Sequence, residues 1–316
     1  MRRIYAAIDI GATNVRVATG NESGISDRLL EATDKARGAW GVTSQIIRML
    51  KTLDLRGLHS IGVGSIGPLR MSEGCIVGAP NLPFKEIPIV KPLEEEFKVP
   101  VRLINDCSAA ALGEHIYGAG RGVNHLVYVT LSTGIGGGAI VDGHLLQGKD
   151  GNAHEVGHLT IDPYSELTCG CGCRGHWEAY CGGINIPNYA RLLLRGRKIE
   201  RGPLLELAEG NLQRLTAETI FRAAGLGDPT ALWVVEKIGE VNAVGFANIV
   251  NVYDPELITV GGSIALKNQE LILRPIEQGI TNHLINRKPK IIITPLGEDA
   301  VLYGALALAW KCGDQL

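Results

Sequence analysis

Short apolar runs with strand-like spacing alternate along this chain with longer stretches of helical spacing. Ile4-Tyr5-Ala6-Ala7-Ile8 and Val15-Arg16-Val17-Ala18 flank a polar turn and predict a β-hairpin. Residues 41–53 put Ile46, Ile47, Leu50 and Leu53 on one face of a helix. Residues 99–104 predict a short strand, with Pro100 near its start where a missing donor is tolerated. It runs through Asn105-Asp106 into an alanine-rich helix over 107–115. Gly118-Ala119-Gly120-Arg121-Gly122 reads as a connector, and the second half opens with a strand over 125–131, a glycine loop and a return strand at Ala139-Ile140-Val141. A loop-rich insertion spans 148–183, and a long helix is predicted over 229–252, closed by Asp254-Pro255. Residues 257–260 and 291–293 predict buried strands, and 300–311 a last helix packed through alanines. Strands alternating with helices imply an α/β architecture.

At 316 residues the chain has room for two domains, and 45% apolar with 20% charged residues is the balance of a globular protein. A formal net charge of −2 gives no electrostatic case for nucleic acid or an anionic membrane as partner. No run approaches the ~18 apolar residues of a membrane span. The apolar run after Met1-Arg2-Arg3 ends at Asp9, too soon for a secretory signal. Of seven cysteines, Cys169, Cys171, Cys173 and Cys181 crowd into one segment, whereas Cys75, Cys107 and Cys312 are scattered. That is not the spacing of a secreted disulfide scaffold, so the expected compartment is the cytoplasm. The scattered thiols read as small buried apolar residues.

Two glycine-rich loops carry the chemistry. Asp9-Ile10-Gly11-Ala12-Thr13-Asn14 and Ser132-Thr133-Gly134-Ile135-Gly136-Gly137-Gly138 each pair hydroxyls with glycines, so backbone N–H groups can approach a phosphate. Asp9 adds a carboxylate suited to hydrated Mg²⁺. Two such loops so far apart in sequence predict a nucleotide clamped between two halves. Other patterns mislead. Gly62-Val63-Gly64-Ser65-Ile66-Gly67 and residues 170–175 match G-x-G-x-x-G without the required strand-to-helix context. His154-Glu155-Val156-Gly157-His158 is a literal H-E-x-x-H, yet its surroundings predict loop then strand, where i and i+4 lie ~13 Å apart.

In this order the motifs resemble sugar kinases of the ROK family (repressors, open reading frames, kinases). The likeness runs through Asp9–Arg16, with Ala12 where glycine is usual, Ala79-Pro80-Asn81-Leu82-Pro83, and Asn105-Asp106 with Gly113-Glu114 behind. It continues through 131–138, Glu155-Val156-Gly157-His158, the cysteine segment ending in Glu178, and Val260-Gly261-Gly262. The resemblance implies a two-domain actin-like ATPase (ribonuclease H-like) fold with nucleotide and sugar in a cleft between the domains. The expected division is 1–117 plus 300–316 and 118–299. The implied activity is ATP-dependent phosphorylation of a hexose, glucose first, at its 6-hydroxyl; the alternative acceptors are N-acetylmannosamine and N-acetylglucosamine. A sugar-responsive transcriptional regulator is the expectation from another class, disfavoured because the first loop begins at Asp9 and leaves no helix-turn-helix module ahead of it. A homodimer or homotetramer is implied by the likeness alone.

Phosphoryl transfer to an alcohol needs Mg²⁺, donors on the phosphates and a carboxylate near the attacking hydroxyl. Asp106, at a strand-to-helix junction, is the candidate base; an N-cap aspartate is the plainer alternative. By resemblance Asn81, Asn105, Asp106, Glu155, His158 and Glu178 contact the sugar. Asp9, Gly11, Ala12, Thr13, Asn14, Ser132, Thr133, Gly134 and Gly136 hold the nucleotide phosphates. Gly261, Gly262 and Ser263 lie against the adenosine. A turn residue for Asn81, solvated loop charges for Glu155 and Glu178, and a strand-end turn at 261–263 are the alternatives. The family's zinc site is a histidine followed by C-x-C-G-x-x-G-C. His158, Cys169 and Cys171 match it, His176 stands where the last cysteine is expected, and Cys173 is an alternative fourth ligand. Such a zinc is structural, and a reduced, metal-free cluster is the other reading. His154, where glycine is usual, either adds a donor near the sugar or faces solvent.

Overall fold

A computed structural model describes residues 3–79 and 82–311. The chain forms two compact units. One comprises the residues up to Tyr128, Gly138–His154 and Thr294 onward; the other comprises Val129–Gly137 and Glu155–Ile293.

The predicted hairpin is β1 (Ile4–Ile10) and β2 (Asn14–Asn21), extended by β3 (Gly24–Ala32). Helix α1 (Ala39–Lys51) follows, then β4 (Leu58–Ser65). A small sheet of β5 (Leu69–Arg70), β6 (Cys75–Val77) and β7 (Glu86–Pro88) leads to α2 (Val90–Phe97), β8 (Val101–Asn105) and α3 (Asp106–Ile116). The main sheet runs β3-β2-β1-β4-β8, with β1, β4 and β8 parallel. Strand β1 is apolar except for Asp9 because both faces are covered. Ala6, Ile8 and Ile10 join Val42, Ile46 and Met49 of α1 in one core; Tyr5 and Ala7 face the last helix, α11 (Ala300–Trp310), in another.

The alanines of α11 and its one glycine, Gly304, allow backbone-close packing. A Cβ on Gly304 would stand 1.6 Å from the Ala109 carbonyl oxygen of α3, and one on Gly62 would stand 1.9 Å from the Ala305 oxygen. Gly64 likewise abuts Val301 and Ala109. The G-x-G-x-x-G of residues 62–67 is thus a strand shaved to admit a helix, not a nucleotide loop.

The second sheet, β11-β10-β9-β12-β13, comprises β9 (Leu126–Leu131), β10 (Ile135–Val141), β11 (His144–Leu145), β12 (Leu257–Gly261) and β13 (Lys290–Ile293). Among the described residues the helices after β11 are α4 (Trp177–Cys181), α5 (Ile186–Leu194), α6 (Pro203–Leu207), α7 (Ala217–Gly225), α8 (Pro229–Tyr253), α9 (Ser263–Lys267) and α10 (Gln269–Gly279), then α11. Asp254 closes α8 in the left-handed region.

Two expectations are corrected. Strand β10 begins at Ile135, so the second glycine loop shrinks to a turn over 132–134, and Gly136 and Gly138 lie in the strand. Gly138 is needed for packing: its Cβ would stand 2.2 Å from the Cys107 carbonyl oxygen. After Glu155 the chain forms a single 3-10 turn, Val156–His158, and only an isolated bridge from Thr160 to His176, in place of a strand.

Glu114, fully buried on α3, accepts hydrogen bonds from the Ala119 N–H (3.0 Å) and the Thr294 hydroxyl. Burial raises its pKa, and the two hydrogen bonds only partly oppose this. A raised folded-state pKa means that its contribution to stability is present at low pH and declines as pH rises through that value. Glu114→Gln keeps an acceptor without a charge, so its denaturation midpoint relative to wild type is expected to improve as pH rises from the ordinary glutamate range toward neutrality and above. Glu114→Ala, which strands both donors, should instead lose about 1–3 kcal/mol. A Gln-to-wild-type difference constant across that range would count against the buried charge.

Candidate functional site

The first turn is held from several sides. Asp9 is buried near the end of β1, opposite Arg16 in the hairpin register, and their side chains pair at 2.9 Å. Burial raises the Asp9 pKa, and the Arg16 charge and hydrogen bond pull it back. The Gly11 N–H donates to the Asn14 carbonyl (2.9 Å), and a Cβ on Gly11 would stand 3.0 Å from that oxygen. The Thr33 hydroxyl donates to the Gly11 carbonyl, and its N–H to that of Thr13. Ala12 packs on the core, while Thr13 is exposed. Arg16 and Thr33 brace this turn, and neither is among the candidate residues that the sequence singles out. The antiparallel register implied by the hairpin could have found Arg16; nothing local marks Thr33.

Asn105 and Asp106 sit where β8 meets α3. Asn105 is the N-cap: its side-chain oxygen accepts from Cys107 N–H (2.9 Å) and Ser108 N–H (3.3 Å). Asp106 is the first helical residue, half-buried, and also accepts from Cys107 N–H at 2.8 Å. The capping role weighed for Asp106 therefore belongs to its neighbour. Parallel registers align Ile10 with Ser65 and Ser65 with Asn105. The first turn and Asp106 thus emerge at the same C-terminal edge of the sheet, where open α/β sheets bind ligands. Asn81 lies outside the described residues, as does Cys312. Cys75 and Cys107 are buried, as expected.

In the other unit the turn over 132–134 closes through Ser132 N–H to the Gly134 carbonyl (3.0 Å). Gly183 and Ile184 donate N–H bonds to the carbonyls of Ser132 (2.8 Å) and Thr133 (3.1 Å). The Ser132 and Ser263 hydroxyls meet at 3.1 Å. Gly262 has φ +87°, and its Cβ would fall 2.4 Å from the Leu131 oxygen, so the end of β12 passes hard against β9. The structure thus brings Ser132, Thr133 and Gly134 together with Gly261, Gly262 and Ser263.

His158, Cys169, Cys171 and His176 converge so that one ligand atom from each lies within 4.8 Å of the others. The His158 and His176 Nδ1 atoms are 3.2 Å apart, the two sulfurs 3.1 Å, and Cys169 Sγ lies 3.6 and 3.3 Å from the two nitrogens. Cys171 Sγ is 3.4 Å from His176 Nδ1. Tetrahedron edges of this size imply a centre about 2.0 Å from each vertex, close to zinc–nitrogen and slightly inside zinc–sulfur distances. The donor set fits a four-coordinate zinc. Cys173, exposed, stands outside it, which removes it as the alternative fourth ligand. His158 turns its other nitrogen, Nε2, toward the Glu155 carboxylate at 3.8 Å. His154 does not face solvent as one expectation had it: it is buried, with φ +65° and a pKa lowered by burial to about 4, and it is no member of the cluster.

Between His176 and Glu178, Trp177 is fully buried. Its indole N–H donates to Asn242 (2.9 Å), its ring meets Phe246 edge-on, and Gly245 leaves room for it. The Glu178 Oε2 accepts from Ile135 N–H at 2.9 Å.

The ROK family pattern matches residues 5–311, and the chain belongs to the ROK family. It has the α/β, actin-like ATPase fold with two mixed sheets. It is 39% identical to a glucokinase of Pyrobaculum calidifontis over 99% of this chain and 97% of the relative. It is 36% identical to a glucokinase of Aeropyrum pernix, over 98% of each. A ROK glucokinase from Streptomyces griseus, solved with glucose and AMPPNP, superposes with a TM-score of 0.81 at 30% identity, covering 98% of this chain and 99% of that one. Among the described residues no helix is long and apolar enough to cross a membrane.

Proposed function

We propose that this chain is an ATP-dependent hexose kinase that transfers the γ-phosphoryl group of Mg-ATP to the 6-hydroxyl of glucose. The observation that carries the reading is the shared C-terminal sheet edge of the Asp9–Asn14 turn and Asp106, within a chain so similar to glucokinases. Asp106 accepts the proton of the sugar hydroxyl as its oxygen bonds to the γ-phosphorus and the bond to the bridging oxygen of ADP breaks. Its short side chain on the first turn of α3 is further restrained by the Cys107 N–H, which donates to it at 2.8 Å. Asn105 caps α3 through its oxygen and offers its amide N–H₂ to the sugar.

Asn81, Glu155, His158 and Glu178 are the remaining sugar contacts. Gly11, Ala12, Thr13 and Asn14, with Ser132, Thr133 and Gly134, present donors to the phosphates, and Gly261, Gly262 and Ser263 border the adenosine. Asp9 is the carboxylate that would hold a hydrated magnesium ion, which would supply charge neutralisation for the phosphates. Arg16 offsets part of the Asp9 charge and fixes its rotamer. His158, Cys169, Cys171 and His176 would hold a zinc ion with four protein ligands, a structural rather than catalytic set, and would so tie down the loop that carries Glu155, His158 and Glu178.

The test is ADP release over a panel of hexoses and N-acetylhexosamines. Glucose should give the highest kcat/KM. If no sugar raised ATP consumption above the sugar-free rate, the assignment would fail; a preference for N-acetylmannosamine would move it within the family.

A further inference from the structure

We propose that Glu178 is also a positioning residue for the nucleotide turn, linking the metal-bound loop to the grip on phosphate. This rests on the reading that the turn over 132–134 holds ATP. That turn is braced on two sides by one short segment. Gly183 and Ile184, just beyond α4, hold its carbonyls from behind, and Glu178 holds the Ile135 N–H that follows it.

The fit is close. A Cβ on Gly134 would stand 2.3 Å from Glu178 Oε2, and one on Gly182 would stand 2.8 Å from Glu178 Cγ. Gly134 therefore leaves the space in which the Glu178 carboxylate sits beside the turn, and a side chain there would push that carboxylate aside. Helix α4 is only five residues long and holds no position by itself. Its place is set by His176 in the metal cluster on one side and by Trp177 locked against Asn242 and Phe246 beneath. A displacement of the loop is thereby passed to the turn through Glu178. With Oε2 engaged by Ile135, Oε1 is the atom left to meet a sugar hydroxyl.

The prediction concerns nucleotide binding without sugar. In metal-replete, full-length protein, AMPPNP with Mg²⁺ should bind about tenfold more weakly to Glu178→Ala, a loss on the scale of one hydrogen bond to a charged group. Glu178→Gln, whose amide oxygen can take the same N–H, should stay within about twofold of wild type. Glu178→Asp keeps the charge but falls short by a methylene and should resemble Ala, which keeps the test open if the Ala variant fails to fold. Glucose binding without nucleotide should weaken in all three. If the Ala and Asp variants lost glucose affinity but bound nucleotide like wild type, Glu178 would be a sugar contact only and the proposal would be overturned. Wild-type protein that bound no nucleotide would instead defeat the kinase reading itself.

Discussion

Asp106→Ala is expected to lower kcat about 10²- to 10⁴-fold, the usual contribution of a general base, with melting temperature and ATP affinity close to wild type. The fold should tolerate the change because Asn105, not Asp106, caps α3 and already receives the Cys107 and Ser108 N–H groups. Asp106→Asn is the sharper variant. It preserves an oxygen for the Cys107 N–H yet cannot take a proton, so it should lose as much activity as alanine. A merely structural residue would be rescued by asparagine. Near-normal turnover in a folded Asp106→Asn protein would falsify the base assignment.

Loss of a metal ligand should have the second-largest effect. Cys169→Ser, Cys171→Ser and His176→Ala are each expected to abolish stoichiometric zinc, whereas Cys173→Ser should retain one equivalent. The difference follows from the converging donors, since Cys173 is exposed and outside the cluster. Without the ion, two thiols and two imidazoles remain pressed together with no shared centre, and residues 159–176 form no helix or strand, held by turns, two isolated bridges and scattered hydrogen bonds such as the Tyr180 hydroxyl to Asp162 (2.8 Å). The expected readouts are rapid proteolysis within that loop and a melting temperature lower by roughly 5 °C or more, since ~2 kcal/mol shifts a large domain by about that much. Zinc at less than a tenth of an equivalent in active wild-type protein, or full zinc in His176→Ala, would refute the site.

The elements were legible where burial leaves a strong period. Strand β1 is a run of apolar residues broken only by Asp9 because helices cover both its faces, and α8 keeps its pattern over many turns. The convergence of His158, Cys169, Cys171 and His176 was legible too, because thiolates and imidazoles at that spacing on a glycine-rich loop are the pattern of a four-donor cluster. The glycines were the weak point. Gly62, Gly64 and Gly138 look in sequence like Gly11 and Gly134, yet the first three exist so that strands or helices can touch. A glycine states that a Cβ does not fit, not what stands in its place. Helical placement of Asn105 and Asp106 was equally ambiguous, since either side chain is a good cap and only the path of the backbone decides which one serves.

What the chain declares unaided is its alternation of strands and helices, its family and its inventory of reactive groups, because these depend on residue types and their local order. Three-dimensional packing alone decided which of two adjacent side chains caps α3, that His176 rather than Cys173 completes the donor set, and that Glu178 reaches the turn before β10. Each is a contact between residues whose mutual distance is set by the path of the backbone, and local spacing carries no information about that distance.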